Sequence, residues 1–331
     1  MSETPPALSW LRQQLQRLRP RADAAVPGAA TAQPRPTVAV VTDSAAALPP
    51  EWVRSCAEGG LLRVVSMPVI IGENVFSDDD AELESHISLA LASGTSVKTS
   101  RPSPGQFDRA YRAAAAAGYD AVVSLHISSK LSGTHDSASL AAGRATIPVH
   151  VVDTGTVGMG QGRGVQSAIA AALAGKSAED VIAAANAAVA GTVIYFYVPS
   201  LEQLRRGGRI SLASSWLGTV LDIKPILGIR DGAVVPLEKV RTAAKAVARL
   251  EELAAAEIAS RGASATQVSV HHFGNEAQAK ALGSSLQARA PGLADATLTR
   301  LPAVLAAHAG LGVLVVVVAG ALVPPQVGQE P

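Results

Sequence analysis

Short runs of β-branched residues alternate with longer amphipathic or alanine-rich segments from Thr37 onward. The runs TVAVVTD, DAVVSLHI and PVHVVD have the length and the valine content of buried strands. Between them, SPGQFDRAYRAAAAAG carries helix signals: Ser103 as N-cap, Pro104 at the first helical position and Gly118 as the stop. Strands separated by helices of this length predict βαβ units and a mostly parallel sheet.

The same alternation continues in the second half of the chain. TGTVGMGQGRG is a glycine-rich turn into a helix, SAEDVIAAANAAVAG is a second helix, and EKVRTAAKAVARLEELAAAEIASRG is a long third one. TVIYFYV, TQVSVHHF, ATLTRLP and GVLVVVVAG are predicted strands, as is RVVSMPVII (63–71) in the first half. We therefore predict an α/β fold with two α/β domains, at 37–157 and 158–323, both built on mostly parallel sheets.

The two ends of the chain differ from this pattern. Four leucines between positions 8 and 18 have helical spacing with arginines among them, and a Pro/Ala-rich linker follows up to residue 36. A basic amphipathic helix at 8–19 could make transient contact with a membrane surface, or it could pack on its own protein. Residues 324–331 are predicted to be a tail.

Composition limits the classes of function. Hydrophobic residues make up 48% of the 331, charged residues 17% and aromatic residues 3%, and the net charge is +1. A nucleic-acid binder would need a basic face and aromatic stacking groups, so we expect no nucleic-acid partner. The single cysteine, Cys56, excludes an internal disulfide, and no apolar signal segment opens the chain, so we predict a cytoplasmic location.

Familiar catalytic and cofactor signatures are missing from the sequence. It has no G-x-S-x-G, no H-E-x-x-H and no pair of C-x-x-C motifs, so we expect neither a metal nor a cofactor. GMGQGRG (158–164) stands where a dinucleotide turn would, but its spacing is not G-x-G-x-x-G, and close backbone packing is the simpler explanation.

Two turns concentrate hydroxyl groups before helices: VKTSRPSPGQF (97–107) and ISSKLSGTHDSA (127–138). Helix N-termini present unpaired N–H groups and bind anions, and serine or threonine can donate to a carboxylate there. Any single serine in such a turn can equally be a helix cap. The pair of turns indicates a shared anion site.

Eight segments occur in an order that resembles one protein family. They are VTDSAAALP, TSRPSPGQF, ISSKLSGTHDSA, VVDTGTVGMGQG, LEQLRRGGRIS, IKPIL, KVRTAAKA and AHAGLG. Together they resemble the DegV family of bacterial fatty-acid-binding proteins, which includes the lipid-presenting subunits of fatty acid kinase. The resemblance covers about residues 37–320 and implies two α/β domains with a lipid held between them.

The resemblance also implies a head-group site. Thr99 or Ser100 of the first hydroxyl-rich turn, with Ser132 and Gly133 of the second, would bind the fatty-acid carboxylate. His308 of AHAGLG is similar to a third head-group residue of the family.

Further positions are implied on the same basis. Arg209 and Arg241 match basic positions that face the entrance and a partner kinase. His272, aligned with a family strand end, and Asp43 and Ser44 of VTDS are further candidates, although a structural role for the histidine stays open.

These observations predict a carrier without catalysis of its own. It would bind a long-chain fatty acid and present the carboxylate to a separate ATP-dependent kinase, which forms an acyl phosphate for lipid synthesis. One alternative is a serine-dependent lipid hydrolase or transferase that uses Ser132 with His308. Another is a lipid-sensing regulatory protein that docks a different partner through Arg209 and Arg241.

Overall fold

The computed structural model describes residues 35–77, 80, 82–210 and 223–321. The helix predicted at 8–19, nearly all of the linker after it and the tail predicted at 324–331 lie outside the described residues.

The described residues form strands and helices in alternation. The strands are β1 (Val38–Asp43), β2 (Leu62–Val65), β3 (Val69–Ile71), β4 (Asn74–Phe76), β5 (Val97–Thr99), β6 (Ala121–His126), β7 (Val149–Asp153), β8 (Val193–Tyr197), β9 (Lys224–Arg230), β10 (Ala233–Val240), β11 (Thr266–His272), β12 (Thr297–Arg300) and β13 (Leu314–Gly320). The α-helices are α1 (Pro50–Ala57), α2 (Leu83–Ala92), α3 (Pro104–Ala116), α4 (Thr134–Ala142), α5 (Met159–Leu173), α6 (Ala178–Ala190), α7 (Glu202–Arg206), α8 (Ala243–Arg261), α9 (Glu276–Arg289) and α10 (Ala303–Ala309).

The first sheet confirms the βαβ prediction. Its strand order is β2-β1-β6-β7, and every neighbouring pair is parallel. Helix α3 begins as predicted, with a capping box between Ser103 and Gln106 and Pro104 in its first turn. Its face packs Phe107 and Tyr111 into the core of this sheet. Because the four strands are parallel, their carboxyl ends lie at the same edge of the sheet, and the loops after β6 and β7 start there.

The second sheet differs from the predicted parallel arrangement. Its order is β10-β9-β8-β13-β11-β12, and only β11 and β12 run parallel. Strands β9 and β10 are joined by Asp231 and Gly232, both with positive φ, and so tight a turn can only return the chain antiparallel. Strands β11 and β12 are linked by a crossover helix, α9, and this is the parallel pair. The α/β class is correct, and the mostly parallel character holds for the first sheet alone.

Two predicted segments have different limits. RVVSMPVII is not one strand, because Ser66 to Pro68 separate β2 in the first sheet from β3 in a third. Pro68 has no N–H to donate to a strand ladder, and this ends the pairing. The long helix starts at Ala243 with Thr242 as N-cap, because Glu238 to Val240 pair with β9 instead.

The third sheet is small and antiparallel, with the order β4-β3-β5. It packs with α2 beside α10, so the end of β5 is brought against the last turn of that helix. This contact positions the first hydroxyl-rich turn.

The glycine-rich start of α5 serves close packing, as predicted. A Cβ on Gly162 would lie 2.5 Å from the carbonyl oxygen of Ala46, so only glycine allows this approach. Helices α5 and α6 then contribute Ile169 and Val181 to the core of the first sheet. That core therefore extends past residue 157, the limit predicted for the first domain. None of the described helices is long and apolar enough to cross a bilayer.

Candidate functional site

A mostly apolar cavity lies between the edge of the first sheet where β6 and β7 end and one face of the second sheet. The empty space between its lining residues, with the open solvent at its mouth included, is about 760 Å³. Most lining groups are aliphatic, and the polar ones are Thr99, Ser132, Arg209, His271 and His308. The apolar lining comprises Met67, Ile127, Leu131, Val157, Ile194, Phe196, Leu204, Ile229, Val234, Leu301, Val304, Leu305, Ala309 and Val315.

Thr99 and His308 form the centre of the polar group. The Oγ1 atom of Thr99 lies 2.7 Å from Nε2 of His308, which links the end of β5 to the last turn of α10. A Cβ on Gly207 would lie 2.4 Å from Nδ1 of His308, so the imidazole is held closely from the other side. The ring is therefore fixed between a hydroxyl group and a backbone that has no room for a side chain.

His308 is uncharged at neutral pH. Its pKa is lowered to about 4, first by burial and second by the positive charge of Arg209. A neutral imidazole next to a hydroxyl provides one proton donor and one acceptor, and their roles depend on the tautomer.

Arg209 borders the same polar group. Its Nε atom donates to the carbonyl oxygen of Leu131 at 3.0 Å, and its guanidinium also donates to the carbonyl oxygen of Gly207. Arg209 thus connects the turn that carries Ser132 with the turn that supports His308. It brings a positive charge to the polar end of an otherwise aliphatic cavity.

Ser132 lines the cavity just before α4. Its Oγ lies 2.8 Å from Oγ1 of Thr134, and its N–H donates to the carbonyl oxygen of Ser128 at 3.1 Å. Gly133 is the N-cap of α4, and a Cβ there would lie 2.8 Å from a guanidinium nitrogen of Arg101. Arg101 therefore covers the turn from outside.

Ser100 and Arg241, which were both predicted from the sequence, do not line the cavity. Ser100 is exposed, and its hydroxyl donates to the carbonyl oxygen of Arg101 at 3.2 Å. Of Thr99 and Ser100, only Thr99 lines the cavity, because successive side chains of an extended segment alternate in direction. Arg241 is exposed between β10 and α8 and does not line the cavity.

The same alternation of side chains along β11 determines which of the two histidines at its end lines the cavity. His271, not the predicted His272, lines the cavity. Its Nε2 accepts the N–H of Met159 at 3.3 Å, its Nδ1 lies 2.6 Å from Oγ1 of Thr299, and burial lowers its pKa to about 4. His272 is buried outside the cavity, and burial lowers its pKa as well. The doublet was visible in the sequence, but the direction of each side chain along the pleated strand decides which member faces the cavity.

Asp43 and Ser44 hold the backbone segments that form part of the cavity wall. Asp43 accepts hydrogen bonds from the backbone N–H of Ile127 at 3.0 Å and of Ala45 at 3.1 Å. Ser44 Oγ accepts the N–H of Met67 at 3.1 Å. Because Ile127 and Met67 both line the cavity, these two residues fix its wall without facing the ligand.

A buried chain of side chains has the connectivity of a catalytic triad. Asp43 Oδ2 lies 2.9 Å from Nδ1 of His126, and Nε2 of His126 lies 2.7 Å from Oγ of Ser124. All three residues are completely buried. A substrate cannot reach Ser124, so this arrangement ties β1 to β6 and satisfies buried polar groups.

Among the described lining residues, Ser132 and His308 do not form the hydrogen-bonded nucleophile and base pair that a serine hydrolase would use. The structure gives His308 a hydrogen bond to Thr99, whereas the hydroxyl of Ser132 is paired with Thr134. Among the described residues there is no group of three or more His, Cys, Asp or Glu side chains that would hold a metal ion.

The fold is α/β, and a mostly apolar cavity with one polar group of side chains lies between its two larger sheets. The sequence matches the family model described as an uncharacterised protein of the DegV family over residues 37–320, and the chain belongs to the DegV family. It is 43% identical over 281 residues to a DegV domain-containing protein of Streptomyces coelicolor, covering 85% of this chain and 98% of that one. A DegV domain-containing protein of Mycobacterium tuberculosis is 35% identical over 290 residues, covering 87% of this chain and 99% of the relative.

Solved structures share the fold. A DegV family protein from Thermus thermophilus, described as binding fatty acid, superposes with a TM-score of 0.77 and 32% identity, covering 86% of this chain and 100% of that one. DegV from Bacillus subtilis, described as a fatty acid binding protein, has a TM-score of 0.76 and 29% identity over 86% and 99% of the two chains.

Proposed function

We propose that this protein binds a long-chain fatty acid and presents its carboxylate to a separate kinase. The observation that carries the binding proposal is the gathering of Thr99, Ser132, Arg209 and His308 around one part of an otherwise aliphatic cavity. Relatives of the same fold that are described as fatty-acid binders support it.

The apolar lining and the polar group would contact different parts of such a ligand and would contribute different shares of its binding free energy. An acyl tail of ~15 methylenes provides on the order of 12 kcal/mol of transfer free energy at about 0.8 kcal/mol each, before association costs. Each charge-assisted hydrogen bond to the head adds roughly 1.5–3 kcal/mol. The tail therefore supplies most of the affinity, and the polar group determines which end faces the entrance.

Two observations support the kinase step. The sequence has none of the catalytic and dinucleotide-binding motifs considered above, and positive charge lies near the polar group of the cavity. In that step a carboxylate oxygen attacks the γ-phosphorus of ATP, ADP leaves, and an acyl phosphate forms. We propose that Arg209, and the more distant Arg241, assist docking of the kinase. Within this proposal the protein needs no cofactor, and a cytoplasmic location stays a prediction from the sequence.

The binding proposal is tested by lipid extraction and mass spectrometry of the purified full-length protein, before and after delipidation and re-addition of palmitate or oleate. We expect about one fatty acid per chain. Recovery of no stoichiometric fatty acid under either condition would reject it.

The kinase proposal has its own test. Protein loaded with radiolabelled palmitate is incubated with ATP and a bacterial lysate, and acyl phosphate is trapped as the hydroxamate by hydroxylamine. We expect ATP-dependent hydroxamate that falls strongly in Arg209→Glu and Arg241→Glu but not in Arg144→Glu, a matched change at an exposed arginine after α4. If the protein binds fatty acid but no ATP-dependent hydroxamate forms, the lipid-sensing alternative becomes the better explanation of the same cavity.

A further inference from the structure

The tip of the β9–β10 hairpin is tied to the first sheet by one buried hydrogen bond. Ser128 Oγ donates to the carbonyl oxygen of Gly232 at 2.7 Å, and Ser128 is only 1% exposed. The two residues are 104 positions apart in the sequence. The bond joins the loop after β6 to a hairpin at the edge of the second sheet.

The hairpin tip fits closely against that loop. Gly232 has φ +77°, and a Cβ there would lie 2.5 Å from Oγ of Ser128 and 3.6 Å from Cα of Gly155. Glycine is therefore required both for the turn conformation and for the close approach. A larger residue at position 232 would therefore disturb both the turn and its contact with the loop after β6.

The same hairpin forms one wall of the cavity. Ile229 and Val234 are paired directly across it, and both line the cavity opposite Ile127 and Leu131. Strand β10 is an edge strand, and all of its residues except one are half-buried rather than buried. Strand β10 has β9 as its single partner, as β5 has β3, and the strand pairing that outward movement of the hairpin must break is that between β9 and β8.

Ser128 also organises the turn that carries Ser132. Its carbonyl oxygen accepts the N–H groups of Leu131 and Ser132 at 2.9 and 3.1 Å, and its own N–H donates to Thr156. The residue that holds the hairpin shut is thus anchored to the polar end of the cavity by its backbone. Releasing its side chain leaves those backbone bonds in place.

We propose that the β9–β10 hairpin is a movable wall through which the acyl chain enters and leaves, with the Ser128–Gly232 hydrogen bond as its latch. This inference rests on the proposed fatty-acid binding. A long tail need not thread lengthwise through the mouth if one wall swings outward and closes behind it. Because the latch is a single hydrogen bond, its loss should change the exchange rate severalfold rather than by orders of magnitude.

The geometry permits a reversible lock. A Cβ on Gly232 would lie 3.5 Å from Cβ of Ser128, within the range of roughly 3.5–4.5 Å found in disulfides. The only native cysteine, Cys56, is buried with its pKa raised to about 12 by burial, so it stays an unreactive thiol. The double variant Ser128→Cys/Gly232→Cys therefore provides one disulfide that links the hairpin to the loop.

The experiment measures the rate at which a loaded fluorescent fatty acid exchanges with excess palmitate. We expect oxidation of the double variant to slow exchange at least tenfold and reduction to restore it. Ser128→Ala, which removes the latch hydroxyl and with it the acceptor of the Lys130 N–H at 3.2 Å, should speed exchange severalfold with little change in bound lipid at equilibrium. Ser129→Ala, an exposed neighbour, is the matched control and should exchange like the wild type.

The outcomes separate this inference from the proposed function. Equal exchange rates in the oxidised and reduced double variant, or an unchanged rate in Ser128→Ala, would overturn the latch while fatty-acid binding stands. Because the positive φ of Gly232 disfavours cysteine, the alanine variant decides the question alone if the double variant does not fold. A wild-type protein that takes up no fatty acid would end both proposals.

Discussion

The side chains of Thr99 and His308 are joined by a 2.7 Å hydrogen bond, although 209 positions separate them in the sequence. One comes from the last residue of β5 in the small antiparallel sheet, and the other from the last turn of α10. The pair therefore forms only when these two parts of the chain pack together, and it stands at the polar end of the cavity.

Replacing Thr99 by valine removes the hydroxyl while keeping the shape of the side chain. A lost hydrogen bond to a charged head costs roughly 1.5–3 kcal/mol, so we expect fatty-acid affinity to fall about tenfold to a hundredfold. Isothermal titration of delipidated protein with a soluble medium-chain acid measures this. Thr99→Ser should retain most of the affinity, and Thr95→Val, on the exposed turn before β5, should have no effect. Wild-type affinity in Thr99→Val would exclude a head-group role.

Substituting Gly207 by alanine tests the packing behind His308. The added methyl group would lie 2.4 Å from Nδ1 and 2.9 Å from Cε1 of the imidazole, so the ring must move away from Thr99. We expect a loss of affinity similar to that of His308→Ala. Gly191→Ala, where the nearest atom would be 3.6 Å away, is the control. The prediction fails if Gly207→Ala binds as tightly as this control.

Hydrolysis of p-nitrophenyl esters separates binding from catalysis. Because His308 contacts Thr99 and Ser132 contacts Thr134, we expect no ester cleavage above that of Ser132→Ala. Activity that disappears in Ser132→Ala but persists in Thr99→Ala would instead support the hydrolase alternative.

The buried His271 predicts a pH dependence of stability. Burial lowers its pKa from 6.5 to about 4, so between these values the unfolded chain binds more protons than the folded one. The contribution of this group to the free energy of unfolding is complete above pH 6.5 and is lost as the pH falls toward 4. We expect wild-type stability to decline over this interval in urea titrations.

His271→Gln should be less stable at pH 7 but should show a flatter dependence on pH over the same interval. Its lower starting stability follows from the disturbed bonds to Met159 and Thr299. His150→Gln, on β7 outside the cavity lining, is the comparison variant. An identical pH profile in His271→Gln and the wild type would contradict this assignment.

Several features were predictable because they depend on neighbouring residues. The capping box at Ser103 and the parallel β2-β1-β6-β7 sheet follow from local patterns and short crossovers. The antiparallel second sheet was missed, although the Asp231–Gly232 turn was its available signal. The choice of His271 over His272 needed the strand's orientation relative to the cavity, which the doublet alone does not carry.

The sequence by itself determined the α/β class, the family and the residue types of the proposed head-group site, because these follow from periodicity and from short motifs. Only the tertiary structure decided that Thr99 meets His308, that Ser100 and Arg241 lie outside the cavity lining, and that Ser128 holds the β9–β10 hairpin. These are contacts between residues about a hundred or more positions apart or choices between faces. They depend on how sheets and helices pack against each other, which no local pattern specifies.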